Sequence, residues 1–274
     1  MSDHALTATR GPRLRDAPPR EAFYLPDGDT FVSTVHTRGP WSPEHQHGGP
    51  PSALLTRAVE RVADLPVVRV TVEILRPVPI APLRIVTRPL RPGKRVQLWE
   101  AVMTSAGAEI CRATVLCIRE TAIDLPELPP HPAATLPGPD ELPETIFPFF
   151  RDMEGYHRAM ELRFARGTWG QRAAACWMRM RPTLVAGETP TPFQRVMVAA
   201  DCNNGITNVL DPRRFVFINP DLTVHVHRHP VDEWVLLDAV VNPERTGRGS
   251  AESLLHDRRG PIGRSVQSLY VDTR

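Results

Sequence analysis

Between Val67 and Glu120 the hydrophobic positions fall into four strand-like runs, around Val68 to Leu75, Leu83 to Leu90, Gln97 to Thr104 and Glu109 to Ile118. The separators Pro77-Val78-Pro79, Arg91-Pro92-Gly93-Lys94 and Ser105-Ala106-Gly107 are turn chemistry, so the stretch predicts a meander of four strands. Upstream, Ala53, Leu54, Leu55, Ala58, Val59 and Val62 recur at spacings of one, three and four, which predicts an amphipathic helix. Pro50 and Pro51 belong in its first turn, where a missing N–H leaves no bond unmade, and Gly48-Gly49 before them leave the backbone bare. Earlier still, two short apolar runs between Phe23 and Val35 flank Pro26-Asp27-Gly28-Asp29, a hairpin turn. Residues 1–20, rich in Arg, Pro, Asp and Ala, show no period and read as a disordered tail.

From Asp124 to about Glu144 prolines recur every few positions without strand or helix period, which predicts a Pro-rich linker over 124–150. The chain then repeats its plan. T-V-E-I-L-R-P-V from Thr71 is matched by T-V-H-V-H-R-H-P-V from Thr223. Gly107 lies 31 residues after Arg76 and Gly260 lies 32 after Arg228, so the last hairpin turns fall in register. Met160 to Phe164 supplies a first strand and Phe193 to Val209 a helix. The expectation is two tandem α+β units, 21–123 and 151–274. In each, an apolar helix ahead of four or five strands packs best with the sheet wrapped around it. Joined edge to edge, the units hide their edge strands and leave a cleft between the helices to which both contribute.

Composition removes several function classes. The 274 residues carry 33 basic and 31 acidic groups, a formal charge of +2, and Lys94 is the only lysine among scattered arginines. Nothing there makes the basic stripe that nucleic acid requires. No run approaches 18 apolar residues, and the first 20 residues lack the apolar segment of a signal peptide, so no membrane partner and a cytoplasmic location are expected. Cys111, Cys117, Cys176 and Cys202 form no C-x-x-C pair, and reduced thiols are the expectation. His225, His227 and His229 share a strand face but no further ligand at metal spacing, so no metal is expected. No helix follows Gly247-Arg248-Gly249 as a dinucleotide fingerprint requires, and no G-x-S-x-G elbow occurs.

A set of motifs resembles the acyl-CoA thioesterases with a double hotdog fold. They are Arg38-Gly39-Pro40-Trp41, Gln46-His47-Gly48-Gly49-Pro50-Pro51 with Ala53-Leu54-Leu55, Leu75-Arg76-Pro77-Val78-Pro79, and Arg91 through Leu98. The likeness continues in Ala200-Asp201, Phe217-Ile218-Asn219-Pro220-Asp221, and Gly260-Pro261-Ile262-Gly263-Arg264 before Gln267-Ser268, and spans about residues 22 to 271. It implies hydrolysis of an acyl thioester of coenzyme A or an acyl carrier protein, in lipid metabolism, without a cofactor. Two units in one chain already satisfy the fold's need for a pair, so a homo-oligomer is optional.

Asp201 follows the apolar stretch Val196 to Ala200, where a carboxylate is expensive unless paired or used. On the residues alone, a cap on the turn Asn203-Asn204-Gly205 explains it as well; the resemblance makes it the catalytic aspartate, as base toward water or as direct nucleophile. The same resemblance makes Gln267 the water-holding amide, against a solvated strand residue. It aligns Asn219 with a position where some relatives carry threonine, against a plain turn residue before Pro220. Gly48 and Gly49 offer bare N–H groups at a helix start, suited to an oxyanion, or simply form a tight turn. His47 joins this substrate-binding group as a hydrogen-bonding loop residue or a second base. Counting back 24 residues from Thr71 gives His47 and 22 from Thr223 gives Asp201, so the glycines of one unit occupy the place of the other unit's carboxylate, and the repeat is expected to bring glycines and carboxylate to a shared cleft. Two other readings stay open: a dehydratase, cyclase or isomerase on a carrier-bound intermediate, for which His47 with Asp201 is the visible pair, and a non-catalytic acyl-thioester binding protein.

Overall fold

The computed structural model describes residues 21–129, 135–148 and 153–274. The expected tail lies outside the described residues, as does part of the expected linker; the described linker residues carry one 3-10 turn, Pro139–Glu141. β1 (Ala22–Asp27) and β2 (Thr30–Ser33) form a hairpin whose turn holds Gly28 at φ +58°, a conformation that suits glycine. α1 (Gly49–Glu60) begins at the glycine pair with both prolines in its first turn. β3 (Val67–Ile74), β4 (Pro82–Arg91), β5 (Val96–Ser105) and β6 (Ala108–Ile118) follow, each within two residues of its expected run. Val70 and Val72, Ala101 and Met103, and Ala113, Val115 and Cys117 are buried on the helix side of the sheet, with Ala53, Leu54, Leu55 and Val59 of α1 in the same core.

The second unit comprises α2 (Tyr156–Ala159), β7 (Met160–Arg166), β8 (Ala173–Met180), β9 (Thr183–Val185), α3 (Pro192–Ala200), α4 (Asn203–Ile206), β10 (Phe215–Ile218), β11 (Asp221–Val226), β12 (Val235–Pro243), β13 (Arg248–Asp257) and β14 (Gly260–Thr273). The helix expected over Phe193 to Val209 is broken. It stops at Ala200, Asp201 caps its C-terminal end instead of lying inside it, and α4 is a single turn. The side chain that starts α4 is claimed by the sheet: Asn203 bonds Ser253 of β13 (2.6 Å) and Ser265 of β14 (3.0 Å), and an Asn-Asn-Gly run carries little helix propensity to resist. β8 escapes sequence reading because Ala174, Ala175, Cys176, Trp177 and Met178 are all buried, which erases the alternation of a one-sided strand.

The strands form one sheet in which β3-β6-β5-β4-β2-β1 and β11-β14-β13-β12-β8-β7 repeat the same order and meet at β3 and β11. At that antiparallel seam Thr71 pairs directly with Thr223, their hydroxyls 3.3 Å apart, so the two residues that open the sequence repeat face each other across an internal twofold axis. Parallel pairing of β9 with β1 ties the second unit to the far edge of the first. Among the described residues no helix is long and apolar enough to cross a membrane.

The two central helices pack antiparallel and close. A Cβ on Gly49 would lie 2.4 Å from the Val198 carbonyl oxygen, while at the other end Glu60 accepts from Thr191 Oγ1 (2.9 Å) and Gln194 Nε2 (2.6 Å). Gly49→Ala must push α1 off α3, and a loss of roughly 1–3 kcal/mol in chemical denaturation is expected. In β13, Asp257 is buried and receives Arg228 through both guanidinium arms (2.5 and 2.7 Å), with the Val231 and Arg259 N–H groups. Burial alone would raise this carboxyl, but the Arg228 and backbone donors outweigh it and hold it below its ordinary value. A depressed folded-state value means the contribution is present at neutral pH and is lost as pH falls through that value. Asp257→Asn is expected to cost about 3 kcal/mol at neutral pH and to flatten the acid limb of a Tm-versus-pH curve; an unchanged acid limb would count against the pair.

Candidate active site

Asp201 ends α3 with its carboxylate, 3% exposed, pressed against the N-terminus of α1, where a Cβ on Gly48 would sit 2.8 Å from Oδ2. Gln267 Nε2 donates to Asp201 Oδ1 (2.9 Å) and to its main-chain oxygen (3.2 Å). Asn219 Nδ2 donates to the same Oδ1 (2.9 Å) and to the Asp221 carbonyl (3.0 Å), so it serves its turn and reaches the carboxylate at once. His47 Nδ1 lies 2.9 Å from Oδ2. Gln267 is fully buried on the helix side of β14, not solvated, and its Oε1 has no partner among the described residues. That oxygen is a ready acceptor for a water. The six residues singled out in the sequence, drawn from both units, therefore converge on one point.

Neighbouring contacts fix His47 in place. Tyr24 donates to Gln46 Oε1 (2.7 Å), and Gln46 Nε2 donates to Ser33 Oγ (2.7 Å) and the Pro79 carbonyl (2.6 Å), pinning the loop before it. Tyr156 stacks on the imidazole with centroids 3.7 Å apart and planes 6° off parallel, and its hydroxyl donates to the Val198 carbonyl (2.7 Å). Sequence reasoning missed Tyr156, which sits in a four-residue helix with no period to announce it. Gly49 N–H also approaches His47 Nδ1, at 3.2 Å. One ring nitrogen cannot both accept and donate, and the buried carboxylate is the stronger partner, so the proton is assigned to Nδ1 facing Asp201. Nε2 is then a free lone pair, and the Gly49 N–H is left without an acceptor. Pro50 and Pro51 have no N–H and Ser52 N–H is spent on the Gly48 carbonyl (3.1 Å), so Gly48 and Gly49 hold the open donors of this helix start. Close approach of α3 already demands glycine at both positions.

A cavity of about 80 Å³ opens beside His47, lined also by Trp41, Phe147, Met178, Leu210 and Phe217. Asp201 is not on its wall. Cys202 is, but burial first, and then the Asp201 charge, push its thiol up to about 12, so it stays protonated and is no nucleophile.

Two helix-and-sheet units sharing one continuous sheet, with the central helices antiparallel beneath it, define a double hotdog protein. The chain superposes on a candidate thioesterase II from Thermobifida fusca with a TM-score of 0.74 at 16% identity, over 91% of this chain and 95% of that one. A hot dog fold protein of unknown function from Alicyclobacillus acidocaldarius gives 0.71 at 17% identity, covering 92% and 95%. The acyl-CoA thioesterase II TesB2 of Mycobacterium marinum gives 0.59 at 15% identity, covering 90% and 92%. At these identities the likeness shows the fold. No curated protein sequence matches the chain. Residues 37–118 match the acyl-CoA thioesterase N-terminal domain and residues 126–271 the acyl-CoA thioesterase C-terminal domain. The chain belongs to the acyl-CoA thioesterase family and is a thioester hydrolase.

Proposed function

We propose that this site hydrolyses a short acyl thioester of coenzyme A or of a carrier protein, using a water activated by His47 with Asp201 behind it. The observation that carries the reading is the 2.9 Å bond between His47 Nδ1 and Asp201 Oδ2. Sequence reasoning gave the base role to Asp201. The geometry favours His47 for it: both Asp201 oxygens are already bonded, whereas His47 lines the cavity with Nε2 unbonded. Nε2 takes a proton from a water in the cavity, and that water's oxygen bonds to the thioester carbonyl carbon, while Gln267 and Asn219 hold the Asp201 carboxylate in place. The carbonyl oxygen becomes an oxyanion supported by the Gly48 and Gly49 N–H groups. Its collapse breaks the C–S bond, and the imidazolium returns its proton to the departing sulfur. Asp201 orients the ring and balances its charge throughout.

Dehydration of a carrier-bound hydroxyacyl group also needs a histidine and a carboxylate, which is why this pair keeps that reading in view. It is the less supported, because a dehydratase must present a base and an acid to two different substrate carbons, and here each group is bonded to the other. Free-thiol release across acyl-CoAs of increasing length is the test. The cavity has about half the room, roughly 150 Å³, that admits a benzene ring, so acyl groups of two to four carbons are expected to give the highest kcat/KM. A kcat/KM that rises steadily to long chains would overturn the size argument, and water release without thiol release would favour dehydration.

A further inference from the structure

The internal twofold axis at Thr71 and Thr223 gives the seam two ends, and only one is occupied by the site above. At the other, Glu60 stands where the symmetry puts a carboxylate: at the C-terminal end of α1, against the N-terminus of α3, accepting from Thr191 and Gln194. The groups that cage Asp201 are missing there. Four residues before Thr223 is Asn219, and four before Thr71 is Val67; one residue past the partner of Thr223 on β14 is Gln267, and one past the partner of Thr71 on β6 is Val115. With valines in both places, this end lacks the two amides that bond the Asp201 carboxylate.

It carries cations instead. On the outer face of the sheet at this end lies a cleft of about 780 Å³ lined by Arg69, Arg119, Arg228 and Arg259. Arg69 stands directly across the seam from His225. Arg228 is committed to Asp257, and most buried arginine forks elsewhere in the protein hold a carboxylate in the same way, as Arg57 holds Glu188 and Arg163 holds Glu161. Among the described residues Arg69, Arg119 and Arg259 have no such partner, and Arg69 Nε is buried with nothing to donate to. Among the described residues Glu120 is the only acid on the wall. A buried guanidinium N–H left unpaired is costly, and an acceptor brought by a ligand removes the cost. We propose that this cleft is a second, non-hydrolytic site that binds a phosphate-bearing ligand of nucleotide size through the Arg69, Arg119 and Arg259 guanidinium groups. Forked guanidinium donors match phosphate oxygens, and the volume suits such a ligand. The site is separate from the thioester site. It lies across the sheet from Asp201 and about one α1 length away, roughly 17 Å, so a ligand there leaves the catalytic cavity free.

Isothermal titration of the full chain with inorganic pyrophosphate, ADP and coenzyme A tests this, alongside the double variant Arg119→Ala/Arg259→Ala, whose side chains are exposed, and Arg69→Met. Pyrophosphate is expected to bind the wild type in a salt-sensitive manner and at least about tenfold more weakly to either variant, with Tm unchanged in the double variant. Variant-sensitive binding of ADP as tight as that of coenzyme A identifies a free nucleotide as the ligand class, and tighter variant-sensitive binding of coenzyme A identifies the thioester carrier itself. No pyrophosphate binding by the wild type, or equal binding by the wild type and the double variant, overturns the proposal. So does a change in oligomeric state of the double variant without loss of pyrophosphate binding, which would make the cleft a subunit contact. None of these outcomes depends on the hydrolytic reading, because pyrophosphate has no thioester.

Discussion

Asp201→Asn is expected to lower kcat/KM for thiol release by roughly 10³- to 10⁴-fold while leaving the fold intact. The geometry explains why so small a change is so costly. Gln267 and Asn219 both donate to Oδ1, so an asparagine keeps its oxygen there and must turn its amide nitrogen toward His47. That nitrogen is a donor. It forces His47 Nδ1 to become the acceptor and moves the ring proton to Nε2, where it faces the cavity and blocks proton abstraction from water. Volume is unchanged and the hydrogen bonds from Gln267 and Asn219 persist, so Tm should shift little. Loss of activity with a retained melting transition is the expected pattern in a thiol-release assay, and activity within tenfold of wild type would remove Asp201 from the mechanism.

His47→Gln is expected to cost roughly 10²- to 10⁴-fold, mainly in kcat. A glutamine fills much of the stack against Tyr156, but it has no basic nitrogen to turn toward the cavity. Substrate is held by the apolar wall and the helix start, so KM should change by a small factor only. Steady-state kinetics on the best acyl-CoA of the panel separates this from a structural role: a rise in KM with kcat preserved would mean that His47 shapes the pocket and does not take the proton.

Much of the architecture is legible in the sequence because the repeat is literal. The segments opening at Thr71 and Thr223 not only share letters but pair across the seam, and the turns at Gly107 and Gly260 both place glycine at positive φ, +81° and +110°. Four one-sided strands and α1 announce themselves by period. β8 does not, because a strand buried on both faces has no period to read, and β9 is three residues that acquire a partner only when β1 arrives from the other unit. The candidate residues were legible in the sequence, but the roles proposed for them were not. A carboxylate behind an apolar run marks Asp201, yet whether it or His47 meets the substrate depends on which of them lines the cavity, and no spacing carries that information. The stack of Tyr156 on His47 and the bare arginines of the second cleft are likewise tertiary facts.

The glycine pair shows how one constraint can serve two ends. α3 approaches so closely that the Asp201 carboxylate and the Val198 carbonyl fill the places where side chains at 48 and 49 would go. The same approach brings the carboxylate to the helix start, where the open N–H groups and the positive end of the helix dipole lie. Packing of the two helices therefore also brings together the groups of the proposed site, and sequence periodicity reports only the packing.

A single turnover in ¹⁸O-labelled water, with enzyme in excess over a short acyl-CoA, tests the water-activation account most directly. The mechanism predicts free thiol, one labelled oxygen in the released acid, and an Asp201 peptide of unchanged mass. Label appearing in the Asp201 carboxylate, with unlabelled acid in the first turnover, would mean that Asp201 attacks the thioester itself and would contradict the role given to His47.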